Sequence, residues 1–160
     1  MKTIIYGILG IALVAIAGSF VYVATQCPCE RIPGFDISGE EVTSPVSDWG
    51  FVNETGLCEL EVDRPLIPHS ITLNCMSGDG QLYISCSRCD GKYWSGLALE
   101  RPGGRIKVGS NVYPINLRRV TEAAELDFAW QARAGKLRGL GREVNDARPD
   151  HWWSFELTSR

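Results

Sequence analysis

The chain has 160 residues, and its 16 Lys and Arg against 19 Asp and Glu give a formal net charge of −3. A slightly acidic chain has no electrostatic attraction for a nucleic-acid backbone, so we expect no nucleic-acid partner. The residues after the N-terminal apolar segment are enough for one domain that buries most of its apolar surface.

The N-terminal residues 1–26 predict a signal-anchor transmembrane helix. Ile4–Ala24 are almost entirely apolar, and no charged residue lies between Lys2 and Glu30. At about 1.5 Å per residue this stretch forms a helix of roughly 31 Å, which matches the hydrocarbon core of a bilayer. The segment therefore has the length and composition of a single membrane span.

Two other interpretations of this segment fit the residues less well. Cleavage of a signal peptide after Ala24 would place Tyr22 where a small residue is needed. Lipidation of Cys27 would need a small residue before it, and Gln26 occupies that position. We therefore favour an uncleaved anchor.

The charges that flank the span predict its orientation. Lys2 lies on the short side, whereas Arg31 on the long side is accompanied by Glu30 and Asp36. The positive-inside bias then puts the N-terminus in the cytoplasm and the C-terminal domain on the extracytoplasmic, periplasmic side of the cytoplasmic membrane. In that oxidising compartment the six cysteines could form disulfides, although their spacing does not assign the pairs.

Residues 27–56 predict an extended linker between the membrane and the domain. The segment shows neither helical nor strand periodicity. It is rich in Ser, Thr, Asp and Glu, and its helix-breaking and turn residues are Pro28, Pro33, Gly34, Gly39 and Pro45.

Alternating apolar and polar residues from Leu57 onward predict half-buried strands. Gly78–Gln81 contains an Asp-Gly pair typical of a two-residue hairpin turn. If Gly78 lies opposite Gln81, then Cys75 lies opposite Ile84. This register predicts an inward-facing set of Cys58, Leu60, Val62, Ile71, Leu73, Cys75, Leu82, Ile84 and Cys86.

The later segments complete a domain over residues 57–160. A short helix is predicted before Arg101, a second hairpin around residues 109–111, a helix from Ala123 to Leu137, and a closing strand from His151. Short antiparallel strands in this number must close or cover their edges. We predict an N-terminal transmembrane helix followed by a mainly-β (α+β) split β-barrel of about six antiparallel strands with two helices.

Several segments of residues 59–160 resemble a known family. These segments are PHSITLNCM, QLYISCSRCDGKYW, LALERP, RIKVGSNVYPINLRRVT, EAAELDFAWQARAGKL and PDHWWSFELTSR, in that order. They resemble the split β-barrel flavin-binding proteins of the pyridoxamine-phosphate-oxidase-like group, and within it the deazaflavin-dependent nitroreductase branch. The resemblance implies a homodimer with FMN or a deazaflavin bound in clefts at the dimer interface.

The same resemblance implies a set of cofactor-binding residues after the third strand. Ser85, Ser87 and Lys92 correspond to the residues that grip the cofactor phosphate, and Trp94 to the aromatic residue of the motif. It implies no catalytic residue. The sequence departs from the family pattern where Leu97 replaces a usual Asn and Arg101 replaces the Asn of an Asn-Pro pair.

Two functions remain open from the sequence. The first is a membrane-anchored oxidoreductase that binds flavin or deazaflavin. The second is a cofactor-free accessory or assembly subunit of a membrane protein complex. The changes at Leu97 and Arg101 favour the second function, and Lys92 favours the first.

The cysteines and histidines suggest other chemistry less strongly. Cys86 and Cys89 form a CxxC pair that could be redox-active, but the βαβ setting of thioredoxin-like proteins is missing, so we favour a structural role. A zinc site would need a second cysteine pair at usable spacing, so we expect no metal. His69 and His151 have no neighbouring nucleophile motif, which argues against hydrolase chemistry.

Overall fold

The computed structural model of the protein describes residues 2–29 and 31–160. Its helices are α1 (Lys2–Gln26), α2 (Tyr93–Glu100) and α3 (Ala123–Gly139), with a short 3-10 helix at Gly50–Glu54. Its strands are β1 (Glu40–Glu41), β2 (Cys58–Val62), β3 (His69–Gly78), β4 (Gln81–Ser87), β5 (Gly103–Val108), β6 (Asn111–Val120) and β7 (Trp152–Ser159).

Six of these strands close into a barrel. The order β6-β5-β2-β3-β4-β7 returns to β6 through a further β6–β7 pairing, and every pairing around this ring is antiparallel. Closure removes the exposed sheet edges that a set of short strands would otherwise leave. The predicted split β-barrel of about six antiparallel strands with two helices is confirmed.

The β3–β4 hairpin has the predicted register. Gly78 pairs with Gln81 and Cys75 with Ile84, while Asp79 and Gly80 take the positive φ angles of 48° and 79° that the turn needs. The predicted inward residues contribute to one hydrophobic core, with Ile71 and Cys86 partly buried at its margin. Alternation along the strands was therefore sufficient to identify the barrel interior.

The predicted extended linker, residues 27–56, packs onto the barrel instead of standing free of it. Trp49 and Val52 belong to the barrel core, and the backbone of Ile37 is hydrogen-bonded to β2 through Glu61. β1 adds a short parallel strand to the start of β6. Scattered apolar side chains with no period could not reveal this packing in the sequence, because their burial depends on a surface formed by distant strands.

The cysteines form three disulfides. They are Cys27–Cys29 at the end of α1, Cys58–Cys75 between β2 and β3, and Cys86–Cys89 before α2. Within residues 2–29 and 31–160 there is no cluster of three or more His, Cys, Asp or Glu side chains that could hold a metal ion.

The helix α1 is long and apolar enough to cross a membrane. Its Ile5–Gln26 stretch has a mean hydropathy of 2.2, and only 6% of it is buried against the rest of the protein. A signal sequence near an N-terminus meets the same criteria of length and composition.

Candidate functional site

A polar pocket lies on the outside of the barrel, where α3 faces β3, β4 and β7. Its volume is about 320 Å³. The residues that line it are Asn74, Ser85, Cys86, Ser87, Trp130, Arg133, Pro149 and Trp152. We call it the α3 pocket.

Strand register brings the polar side chains of the α3 pocket together. Ser85 pairs with Asn74 of β3, and Ser87 pairs with Trp152 of β7. Directly opposed residues of an antiparallel pair point to the same face, and side chains two apart on a strand do so as well. Ile84 is fully buried in the barrel core, so Ser85 and Ser87 face outward towards α3.

Three buried donors in the α3 pocket have no hydrogen-bond partner among the described residues. They are Ser85 Oγ, Arg133 Nε and Trp152 Nε1. An indole N–H and a guanidinium can only donate, and a serine hydroxyl can donate as well as accept. A pocket whose lining residues carry donors without acceptors fits a ligand that is rich in acceptor oxygens and negatively charged, of which a phosphate is the common example.

The Arg133 guanidinium packs against an aromatic ring that lines the α3 pocket. It lies 5.0 Å from the ring centroid of Trp130, whose own Nε1 donates to the carbonyl oxygens of Asn145 and Asp146. Trp130 and Trp152 form an edge-to-face pair with centroids 5.2 Å apart. Burial lowers the pKa of Arg133 from its usual value, yet a guanidinium stays protonated at neutral pH. The pocket thus holds a positive charge against an aromatic surface.

A second hydroxyl and an imidazole lie at the rim of the α3 pocket. Ser87 Oγ is 2.9 Å from His151 Nε2, and both side chains are exposed. Because an imidazole nitrogen can donate or accept, this pair can adapt to a ligand that enters from solvent.

The structure places the four predicted cofactor residues in two separate pairs, Ser85 with Ser87 and Lys92 with Trp94, which line different pockets. Ser85 and Ser87 share the α3 pocket. Lys92 is exposed at the N-terminus of α2 and lines two other pockets. Trp94 is buried in the barrel core, where its ring packs 5.4 Å from that of Phe155.

Arg133 and the role of Trp152 were not predicted from the sequence. Arg133 lies three residues after Trp130, a spacing that puts both on one face of a helix. Trp152 lies on the closing strand, and only its unpartnered Nε1 distinguishes it from a residue that packs on the barrel. The α3 pocket depends on long-range contact between α3 and β7, which no local pattern reports.

No protein-family model matches the chain, and no curated protein matches it either. Among solved structures it is similar to a proposed 5-nitroimidazole antibiotic resistance protein from Bacteroides thetaiotaomicron, with a TM-score of 0.53 and 10% identity over 83% of this chain and 90% of that one. It is also similar to a proposed pyridoxamine 5'-phosphate oxidase from Listeria innocua, with a TM-score of 0.52 and 8% identity over 68% of this chain and 87% of that one. At these identities the likeness concerns the fold, and it agrees with the split β-barrel of this chain.

Proposed function

We propose that the protein is a membrane-tethered split β-barrel that binds FMN or a deazaflavin through the α3 pocket and acts as an oxidoreductase. The observation that supports the pocket is its set of three buried, unpartnered donors, Ser85 Oγ, Arg133 Nε and Trp152 Nε1. The apolar α1 supports the tether.

The three unpartnered donors favour a ligand because each of them lowers the stability of the folded protein. A buried polar group without a partner costs about 1–3 kcal/mol, so three of them together remove several kcal/mol of stability unless something binds there. A phosphate group would accept a hydrogen bond from each donor and would be attracted to the Arg133 charge. Binding would therefore restore part of the folding stability that the three unpartnered donors cost.

Four residues of the α3 pocket and His151 beside it have separate roles in cofactor binding. Arg133 supplies charge, Ser85 and Trp152 fix the orientation of the phosphate, and Ser87 with His151 lies at the entrance. The cofactor itself would supply hydride and electron transfer when bound. Two fold neighbours are named for a phosphorylated substrate and for nitroimidazole resistance, which supports a redox role without fixing the substrate.

The first test is the visible spectrum of the full chain, solubilised gently from its own membrane. We expect a flavin-type absorbance and a phosphorylated chromophore by mass spectrometry. If the protein is purified without cofactor, titration with FMN and with riboflavin isolates the phosphate, because the two ligands differ only there. FMN should bind at least about tenfold more tightly, since charge-assisted hydrogen bonds contribute about 1.5–3 kcal/mol each.

Three variants test the donors one at a time. Arg133→Met removes the charge, Trp152→Phe removes the indole N–H but keeps an aromatic ring, and Ser85→Ala removes a hydroxyl. Each should weaken FMN binding and leave riboflavin binding nearly unchanged. Ser77→Ala is the matched control, because Ser77 is also buried with an unpartnered hydroxyl but lies outside the pocket. Equal binding of FMN and riboflavin by the unaltered protein would contradict the proposal.

The second candidate function is a cofactor-free accessory subunit of a membrane complex. It is favoured by the positions of Lys92 and Trp94, which lie apart from the α3 pocket. Colourless protein that fails to bind FMN and co-purifies with stoichiometric membrane partners would establish this alternative. A homodimer is expected for the cofactor-binding form, and the mass of the detergent-solubilised protein tests it.

A further inference from the structure

One face of the barrel is bound directly to the end of α1. The backbone N–H of Phe35 donates to the carbonyl of Ala24 in the last turn of the helix, at 3.2 Å, and Ala24 is buried there. Gly34 lies so close to the carbonyl of Cys27 that a β-carbon would not fit. This part of the domain is therefore hydrogen-bonded directly to the helix.

The same face continues into β3. Gly34 and Ser70 exchange two backbone hydrogen bonds of 2.9 and 3.0 Å. The hydroxyl of Thr72 also donates to the carbonyl of Pro28, at 3.4 Å. The β2–β3 loop, residues 63–68, ends just before this contact, so it lies at the end of the domain nearest to α1.

The tip of the β2–β3 loop is apolar and fully exposed. Leu66 is 100% exposed and has a positive φ of 77°, a conformation that is unfavourable for leucine. Ile67 beside it is 48% exposed, and Tyr93 and Ile32 are about half exposed on the adjoining surface. An exposed leucine in a strained backbone contributes nothing to the folded domain in water, which points to a contact outside the domain.

Arg64 lies two residues before Leu66, and further basic side chains lie on the adjoining surface. The Arg64 guanidinium lies 5.5 Å from the ring centroid of Tyr93, whose chain neighbour Lys92 lines one pocket with Arg31 and Ile32. The carboxylate of Asp63, which begins the loop, is 3.8 Å from Arg160, so its charge is partly balanced there. Apolar tips, an aromatic ring and flanking Lys and Arg together are the composition of surfaces that lie in a membrane interface.

We propose that this face docks onto the bilayer that α1 crosses, with anionic phospholipid as its partner. The docking patch consists of Arg31, Ile32, Arg64, Leu66, Ile67, Lys92 and Tyr93. Leu66 and Ile67 enter the headgroup region, and the three basic residues contact lipid phosphates. The inference rests on the anchoring role of α1 in the proposed function.

The occupant of the patch follows from its position. The patch adjoins the residues bonded to the last turn of α1, so the membrane surface is the nearest partner once α1 spans the bilayer. Its charge is complementary to anionic lipid, whereas an apolar face of a second protein would leave Arg31, Arg64 and Lys92 unmatched. Contact with another protein chain is an outcome that the test can detect.

A photo-crosslinking experiment on the full chain tests the docking. The chain is reconstituted into vesicles of phosphatidylcholine with phosphatidylglycerol, with p-benzoylphenylalanine in place of Ile67. The control carries the same group in place of Leu140, which is also 48% exposed but lies at the end of α3, outside the patch. We expect lipid adducts by mass spectrometry from position 67 and few from position 140.

A charge series tests the lipid specificity. The ratio of docked to undocked protein is measured as the yield of lipid adducts under limiting illumination. On anionic vesicles, Arg64→Gln and Lys92→Gln should each lower this ratio by up to about fivefold. On pure phosphatidylcholine neither variant should change the yield. Loss of the difference between the two vesicle types would overturn the role of the basic residues.

Alkaline extraction of the same samples separates the two proposals. Release of the chain from the vesicles would mean that α1 is not an anchor, and would overturn both the tether and the docking. A chain that stays in the membrane but gives equal lipid adducts at positions 67 and 140 would overturn the docking alone. Protein–protein adducts at position 67 would assign the patch to a second chain instead of lipid.

Discussion

Replacing Glu61 by alanine should weaken the attachment of residues 36–48 to the barrel. Glu61 is buried on the outer face of β2, where its carboxylate accepts hydrogen bonds from three donors. Two come from Arg105 on the neighbouring strand, Nε at 2.9 Å and Nη2 at 2.6 Å. The third comes from the backbone N–H of Ile37, at 2.9 Å, and ties the preceding segment to the barrel.

The size of the effect follows from what each donor loses. Ile37 is buried, so its N–H would be left without a partner at a cost of about 1–3 kcal/mol. The Arg105 side chain is 30% exposed and can hydrogen-bond to water instead. Losing the Glu61–Arg105 pair therefore costs less than breaking a fully buried ion pair, which costs about 3–5 kcal/mol. We expect Glu61→Ala to lower the free energy of unfolding by about 3 kcal/mol.

The measurement is thermal unfolding of the full chain in detergent, followed by circular dichroism. A loss of about 3 kcal/mol corresponds to a fall of roughly 6–12 °C in melting temperature for a protein of this size. Glu59→Ala is the matched control, since Glu59 lies on the same strand and face and pairs with Lys107 at 3.4 Å. Both members of this ion pair are partly exposed, so the loss of Glu59 should cost less than about 1 kcal/mol.

Limited proteolysis provides the second measurement for Glu61→Ala. Residues 36–48 should be cleaved earlier in this variant than in the unaltered protein or in Glu59→Ala, because the Ile37 anchor is gone. If both variants melt within a degree of each other and show the same cleavage pattern, the Glu61 contacts do not hold the segment. That result would refute the assignment of the Ile37 hydrogen bond as its anchor.

Two further predictions concern the interior. Burial lowers the pKa of Lys136 to about 8, from 10.5 in the unfolded chain, so the unfolded state binds more protons between these values and stability should rise from pH 8 towards pH 10. Melting curves at pH 7–10 check this, and we expect Lys136→Met to abolish the rise in stability. The range ends at pH 10 because the pKa of Tyr83 is raised in the folded protein, which lowers stability at higher pH. Removing the Cys58–Cys75 disulfide by Cys58→Ala with Cys75→Ala opens a 17-residue loop and should cost about 3 kcal/mol in denaturant unfolding. An unchanged midpoint with unchanged slope would contradict the pairing.

The barrel was predictable because its strands are encoded locally. Alternation from residue 58 onward marks the inward face, and the turn at Gly78–Gln81 sets the register of the hairpin. Each of these signals depends on a few neighbouring residues, since side-chain direction has a period of two along any strand. Ser85 and Ser87 were indicated by the family resemblance, and their spacing of two on β4 puts both on one face.

The α3 pocket and the wrapped segment were not predictable in the same way. Arg133 and Trp152 line one pocket only because α3 packs against β3 and β7, and an unpartnered donor is a property of that packing. Trp49 and Val52 enter the core although their segment has the composition of a linker. Burial of an isolated apolar or polar group is decided by what distant strands present to it.

The sequence alone determined the apolar helix, the strands, their inward faces and the hairpin register, because periodicity and turn chemistry act over a few residues. The tertiary structure alone decided which cysteines pair, where residues 31–56 lie, and which donors are left without acceptors. The burial of residues 31–56 and the unpartnered donors depend on contacts between residues far apart in the chain, and Cys58–Cys75 depends on the pairing of β2 with β3. Local physics set the elements, and long-range contacts created the site.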